Sequence, residues 1–162
     1  MNKIISKKEQ TEMLNWIFNN EKCFTKNPLG ENRKFLLLKQ FNPPSIFLKV
    51  KEKILNAENI NIWEEENLIG GDMITFNETN GFIHEHTDPT VENKEHLRFN
   101  LFLSKPYAGG NPIYNGKILE YEECNYIKYH VNKYLHSSLP VVGQKPRIAI
   151  SYGILVPSFT LL

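Results

Sequence analysis

Cysteine is scarce in this chain, with only Cys23 and Cys124 among 162 residues. Two cysteines cannot build a disulfide framework or a cysteine-based zinc site. A reducing, cytoplasmic setting is therefore expected. A dominant charge is also missing. The formal net charge of +1 gives no pull toward nucleic acid or an anionic membrane surface. No apolar run is long enough for a membrane span, and residues 1–8 carry no signal-peptide pattern. The most telling shortage is arginine. Of 19 basic residues only Arg33, Arg98 and Arg147 are arginines. In so lysine-rich a chain an arginine is informative, because its planar fork grips a carboxylate with two parallel hydrogen bonds and lysine cannot copy that.

What is present describes a packed protein. Apolar residues make up 41% of the chain, with ten Phe and seven Tyr, which excludes a disordered segment. The length fits one domain over residues 1–162. Residues 6–20 read as a helix, opened by the capping box Ser6-Lys7-Lys8-Glu9 and continued by Met13, Leu14, Ile17 and Phe18. Asn27-Pro28-Leu29-Gly30 is a turn, and residues 34–40 read as a strand. Asn42-Pro43-Pro44-Ser45 opens a second helix with Phe47, Val50, Ile54 and Leu55 on its apolar face. Glu64-Glu65-Glu66-Asn67 reads as a solvated loop.

After Gly70-Gly71 the pattern shortens. Strand-like runs are expected at 72–77, 81–86, 97–104, 111–114, 117–121, 125–130, 134–136 and 147–156. Asn115-Gly116 is a primed hairpin turn between two of them. Many short strands at this spacing indicate a sandwich, jelly roll or small barrel. The expected class is α+β: a β-sandwich over 70–156 backed by an amino-terminal helical support region over 1–69.

The densest set of possible ligands is Gly81-Phe82-Ile83-His84-Glu85-His86-Thr87-Asp88-Pro89. Residues two apart on extended chain face one side, so His86 and Asp88 can approach one ion together. His136 is the best third ligand. Two imidazoles and a carboxylate on one face of an octahedral ion leave three positions open, which suits Fe(II). His84 shares a face with His86 and is an alternative ligand, but only His86 has a carboxylate two residues on. Eleven residues after His136, Arg147 alternates with Ala149 and Ser151 along one strand face. A buried Arg needs an anionic partner, and a dicarboxylate would supply it.

The order His-x-Asp, about fifty residues, His, about ten residues, Arg resembles the Fe(II)/2-oxoglutarate-dependent oxygenases. It is most similar to their prolyl 4-hydroxylase-like branch. Phe76-Asn77-Glu78-Thr79-Asn80-Gly81, Leu103-Ser104-Lys105-Pro106-Tyr107-Ala108-Gly109-Gly110 and His136-Ser137-Ser138-Leu139-Pro140 carry the local likeness, over roughly 70–156. The resemblance implies a double-stranded β-helix, or jelly roll. It implies Fe(II) on His86, Asp88 and His136, with 2-oxoglutarate and dioxygen as cosubstrates. It also implies hydroxylation of an unactivated C–H bond. The presence of Asp88 argues for hydroxylation, because halogenating relatives lack that carboxylate. Arg147 would hold the far carboxylate of 2-oxoglutarate, with Lys145 as a rival. Asn77 stands where the branch often has a tyrosine touching the cosubstrate.

Arg98 and Asn100 alternate with Leu97, Phe99 and Leu101. They form either a solvated strand face or part of the pocket that touches substrate or cosubstrate. His96 and His130 read as surface or core residues, Tyr121, Tyr126, Tyr129 and Tyr134 as packing, Cys124 as a small buried hydrophobe, and Gly109-Gly110 as a turn. So short a chain has little room for a lid, so an open site for a peptidyl or protein residue such as proline is expected, with a free amino acid or small metabolite as the alternative. A non-catalytic, cupin-like metal-binding module competes with the enzyme, but it leaves Arg147 without a role.

Overall fold

The computed structural model describes residues 3–158. Helix α1 (Lys7–Asn19) leads into β1 (Thr25–Lys26), β2 (Gly30–Leu37), helix α2 (Ile46–Ala57) and the two-residue strand β3 (Glu64–Glu65). The rest is β: β4 (Met73–Ile83), β5 (Lys94–Ser104), β6 (Ala108–Gly109), β7 (Pro112–Tyr114), β8 (Lys117–Ile118), β9 (Tyr126–His130), β10 (His136–Ser138), β11 (Val141–Val142) and β12 (Arg147–Pro157).

Local chemistry starts the helices. Glu9 N–H donates to Ser6 Oγ at 3.2 Å and Ser6 N–H donates to Glu9 Oε2 at 2.8 Å, so two end amides of α1 are satisfied reciprocally. Helix α2 follows Pro43-Pro44 and buries Phe47, Val50, Ile54 and Leu55. Trp16 of α1 meets Phe47 of α2 edge-on, with ring centroids 5.2 Å apart.

The main sheet is antiparallel, in the order β1-β2-β4-β12-β5-β9, with β3 pairing the far end of β12. Facing it are the small sheet β10-β7-β8 and the pair β11-β6. This is a double-stranded β-helix with helices on its outer face. The period of two along each strand sorts the layers. Ile148, Ile150, Tyr152 and Ile154 of β12 join Leu97, Phe99, Leu101, Ile74, Phe76 and Leu36 in the core beneath the helices. Their neighbours Arg147, Ser151, Arg98, Asn100, Met73, Thr75, Arg33 and Phe35 line a cavity of about 220 Å³ on the other face. Full burial of a side chain such as Phe99 or Ile150 is worth about 1.5–3 kcal/mol. The helix layer therefore fixes the sheet that presents the cavity.

Several boundaries differ from the sequence expectation. The strand expected at 34–40 starts at Gly30 and stops at Leu37, where Leu38 N–H turns to Asp72 O at 3.0 Å. The runs 72–77 and 81–86 form one strand, β4, which bends at Asn80 (φ 62°). The run expected at 134–136 begins only at His136, because Lys133 and Tyr134 turn back onto His130 O. The run 117–121 is strand only at Lys117–Ile118. Glu64-Glu65-Glu66 is not a solvated loop. Glu64 and Glu65 pair with Leu155 and Ile154, and Glu66 is fully buried. The region before residue 70 is also not purely helical, since β1, β2 and β3 extend the main sheet. The Asn115-Gly116 turn has φ of 49° and 74°, the double positive φ that a primed hairpin requires, and it joins β7 to β8. Among the described residues no helix is long and apolar enough to cross a membrane.

Candidate metal centre

Strand β4 ends at Ile83, and the chain then crosses the mouth of the cavity. His86 N–H donates to His136 O at 3.1 Å, and His136 N–H donates to His86 O at 2.9 Å. The two histidines thus form a directly opposed antiparallel pair, with ring centroids 4.3 Å apart. Two residues on, Asp88 N–H bonds Val131 O at 2.8 Å, which keeps the segment extended and turns Asp88 to the same side as His86. Asp88 Oδ1 lies 3.4 Å from His86 Nε2 and 3.8 Å from His136 Nε2. One ligand atom from each residue lies within 4.8 Å of the other two, a spacing that can hold one ion.

The imidazoles are oriented for this by the backbone. His86 Nδ1 meets His84 O at 2.7 Å and His136 Nδ1 meets Tyr134 O at 3.2 Å. A carbonyl can only accept, so each Nδ1 donates its proton there, which leaves Nε2, on the Asp88 side of each ring, as the nitrogen available to an ion. Burial would raise the Asp88 carboxyl, but His86, Arg98 and His136 outweigh it and keep Asp88 ionised. Burial and the neighbouring His86 lower His136 and favour its neutral form. Burial also acts to lower His86, but the contact with Asp88 outweighs it and raises His86. The exposed His84 ring packs edge-on against Phe82, outside the cluster. Its contribution is the carbonyl that aligns His86.

Arg98 holds the carboxylate from behind. It is 4% exposed, with Nε 3.4 Å from Asp88 Oδ2 and Nη2 2.5 Å from Glu66 Oε2. Its Nη1 donates to Ser151 Oγ at 3.0 Å and to Gly71 O at 3.2 Å. Glu66 is in turn fixed by the N–H groups of Ile69 at 2.8 Å and Gly71 at 3.2 Å. The guanidinium packs against Gly153, where an added Cβ would come within 3.1 Å of Nη2. The face carrying Arg98 and Asn100 is therefore the cavity wall, not a solvated face.

Arg147 lines the same cavity and is 4% exposed. Its guanidinium carbon sits 5.2 Å from the Phe102 ring centre and 6.0 Å from that of Tyr121. No carboxylate reaches it among the described residues, and its Nε has no partner. Burial lowers its pKa. Asn77, 1% exposed, is registered opposite Arg147, and its Nδ2 also has no partner. Lys145 is occupied elsewhere, at 2.8 Å from Glu123 and over the Tyr107 ring.

Sequence reasoning missed three residues here. Arg33 lies just outside the strand expected at 34–40, although its rarity as an arginine is a usable signal. Glu66 reads as one of three like charges, and no local pattern marks it as the buried one. Tyr129, assigned to packing, lines the cavity, whereas Tyr134 is 41% exposed.

No protein-family model and no curated protein matches the sequence. The fold does match solved structures. A viral collagen prolyl hydroxylase from Paramecium bursaria Chlorella virus-1, in complex with 2-oxoglutarate, aligns at a TM-score of 0.68 and 16% identity, covering 96% of this chain and 94% of that one. HygX from Streptomyces hygroscopicus, with nickel and 2-oxoglutarate bound, aligns at 0.68 and 9% identity over 98% and 82%. A Trichoplax adhaerens prolyl hydroxylase bound to a hypoxia inducible factor peptide aligns at 0.63 and 11% identity over 94% and 81%. The chain thus has the double-stranded β-helix fold of these 2-oxoglutarate-binding and prolyl-hydroxylating proteins.

Proposed function

We propose that this chain is an Fe(II)- and 2-oxoglutarate-dependent dioxygenase that hydroxylates an unactivated C–H bond. The observation that carries the proposal is the joint lining of one cavity by the His86–Asp88–His136 group and by Arg147, a buried cation with no anion of its own. The donor set fits the metal. Two neutral imidazole nitrogens and one carboxylate oxygen suit a divalent iron and leave coordination positions open. The unpaired Nε of Arg147 and Nδ2 of Asn77 fit the far carboxylate of 2-oxoglutarate.

Each residue then has a task. His86, Asp88 and His136 would hold the ion, and the carbonyls of His84 and Tyr134 fix the ring orientations. Arg98 places its charge 3.4 Å from Asp88 Oδ2, while Asp88 Oδ1 faces the imidazoles. Arg147, its guanidinium held beside the Phe102 and Tyr121 rings, would orient the cosubstrate through its far carboxylate. Divalent iron with 2-oxoglutarate and dioxygen supplies an oxidative decarboxylation that gives succinate and carbon dioxide and delivers one oxygen atom to a substrate C–H. The protein's own contribution is position and charge.

Two substrate readings remain. A peptidyl residue such as proline is supported by the likeness to prolyl hydroxylases. A small carboxylic acid is favoured by the buried charge of the cavity, developed below. The two free cysteines suit a reduced, cytoplasmic setting. The test is succinate formation from 2-oxoglutarate with Fe(II), with and without candidate substrates. Wild type is expected to turn over, and Asp88→Ala to lose nearly all turnover. Equal turnover in both would defeat the enzyme reading.

A further inference from the structure

All three arginines of the chain line the same cavity. Two of them have roles, Arg98 behind Asp88 and Arg147 deep on β12. Arg33 has none. It sits on β2, registered opposite Asn77, which is itself opposite Arg147, so the three side chains form a row across β2, β4 and β12. Arg33 is 8% exposed, and its Nε has no partner. Among the described residues no carboxylate lies within ion-pair distance of it. Its place is built. Gly30 has no side chain, and a Cβ there would come within 3.1 Å of Arg33 Cδ and 2.1 Å of Phe82 O. The Asn27–Leu29 turn forms the cavity wall beside it, held by Leu29 N–H on Asn27 Oδ1 at 2.8 Å and by His84 N–H on Leu29 O at 2.9 Å.

Charge then decides what Arg33 faces. Three guanidiniums meet two carboxylates, Asp88 and Glu66, and the imidazoles are neutral as ligands. A divalent ion and a dianionic cosubstrate cancel each other. One positive charge is left over in a largely buried cavity, where an unpaired cation is costly. Burial, with help from Arg147 and Arg98, lowers the Arg33 guanidinium to about 10, so it stays charged at neutral pH. Arg33 lines the same cavity as His86, Asp88 and His136.

We infer that Arg33 is the anchor for a carboxylate of the substrate, and that the substrate of this site is a monoanionic acid held with its reacting carbon above the metal. The inference rests on the dioxygenase reading, because the cosubstrate must first satisfy Arg147. A fork-to-carboxylate pair is bidentate, so it fixes orientation as well as affinity.

The test uses protein loaded with Mn(II) and saturating 2-oxoglutarate, which binds without turnover. Calorimetry and thermal shift are run with matched pairs: acetate and acetamide, butanoate and butanamide, free proline and prolinamide. A further arm uses acetylated tripeptides ending in a free carboxylate or an amide. Acids are expected to bind about tenfold or more tightly than their amides. Arg33→Met should abolish that preference, and Arg33→Lys should restore part of it. The affinity for 2-oxoglutarate should stay within about twofold in both variants, which also reports that they are folded. A response to the free acids assigns a small-molecule substrate. A response confined to the peptide acids assigns a chain terminus and still upholds the carboxylate. Equal binding of acids and amides, or no response in any arm, overturns the inference. So does loss of 2-oxoglutarate affinity in Arg33→Met, which would make Arg33 a second cosubstrate anchor. If wild type fails to bind 2-oxoglutarate at all, the dioxygenase reading itself has failed.

Discussion

Replacing Arg98 with methionine separates what the buried charge network does for the fold from what it does for the metal. Arg98 is 4% exposed and Glu66 is fully buried, so Arg98→Met leaves the Glu66 carboxylate in the interior with only the amides of Ile69 and Gly71. Removing one partner of a buried pair costs about 3–5 kcal/mol. For a chain of this length each kcal/mol moves Tm by about 2–4 °C, so the expected fall is about 6–20 °C. Adding Glu66→Gln removes the stranded charge and keeps an oxygen for one amide. The double variant should therefore regain at least half of the loss, because an uncharged pair has no uncompensated ion. Metal affinity should behave differently. Without the Arg98 charge 3.4 Å from Asp88 Oδ2, the Asp88 carboxylate loses its ion-pair partner, and loss of such a partner beside a metal ligand costs about 10–100-fold in metal affinity. The double variant should not recover it. Thermal unfolding by circular dichroism and Mn(II) titration read the two effects separately. A Tm shift below about 2 °C in Arg98→Met would refute the electrostatic reasoning. So would a double variant no more stable than the single.

Gly153→Ala drives a methyl to 3.1–3.2 Å from the Arg98 guanidinium and the Glu66 stem, so it should destabilise by about 1–3 kcal/mol in thermal unfolding, and an unchanged Tm would contradict the close packing. Burial acts to raise Glu123, but Lys145, the Lys105 amide, Gln10 and Lys7 outweigh it and hold the carboxyl at about 2, against an ordinary 4.5. Its contribution to stability is present above about pH 4.5 and lost as pH falls toward 2. Glu123→Gln should therefore flatten the acid limb of the stability curve in that window, and an unchanged acid limb would contradict the pairing. Lys145→Ala should leave 2-oxoglutarate affinity unchanged, because Lys145 is committed to Glu123 outside the cavity; calorimetry that shows a loss would make Lys145 the anchor.

Much of the fold was legible because period-two alternation is strong in β5 and β12. Leu97, Phe99 and Leu101 against Arg98 and Asn100, and Ile148 and Ile150 against Arg147, Ala149 and Ser151, already describe two faces of a sheet. The spacing of His86 and Asp88 was readable for the same reason. That His136 stands directly opposite His86 was not, since strand pairing is a long-range property with no local signal. Nor was the start of β10 at His136, because the turn at His130–Tyr134 is made by backbone bonds that any residue can form. Glu66 looked like one charge in a polar run. Its burial depends on Arg98, thirty-two positions away.

The proposed site has two parts, a metal on His86, Asp88 and His136 and a carboxylate anchor at Arg147. Calorimetric titration of 2-oxoglutarate into wild type, Asp88→Ala and Arg147→Ala, each with and without Mn(II), tests it most directly. Metal-loaded wild type should bind one 2-oxoglutarate per chain, with none bound without metal or in Asp88→Ala. In metal-loaded Arg147→Ala the affinity should be lowered about tenfold or more. Binding that ignores the metal, or that is untouched by Arg147→Ala, would contradict the two-part site.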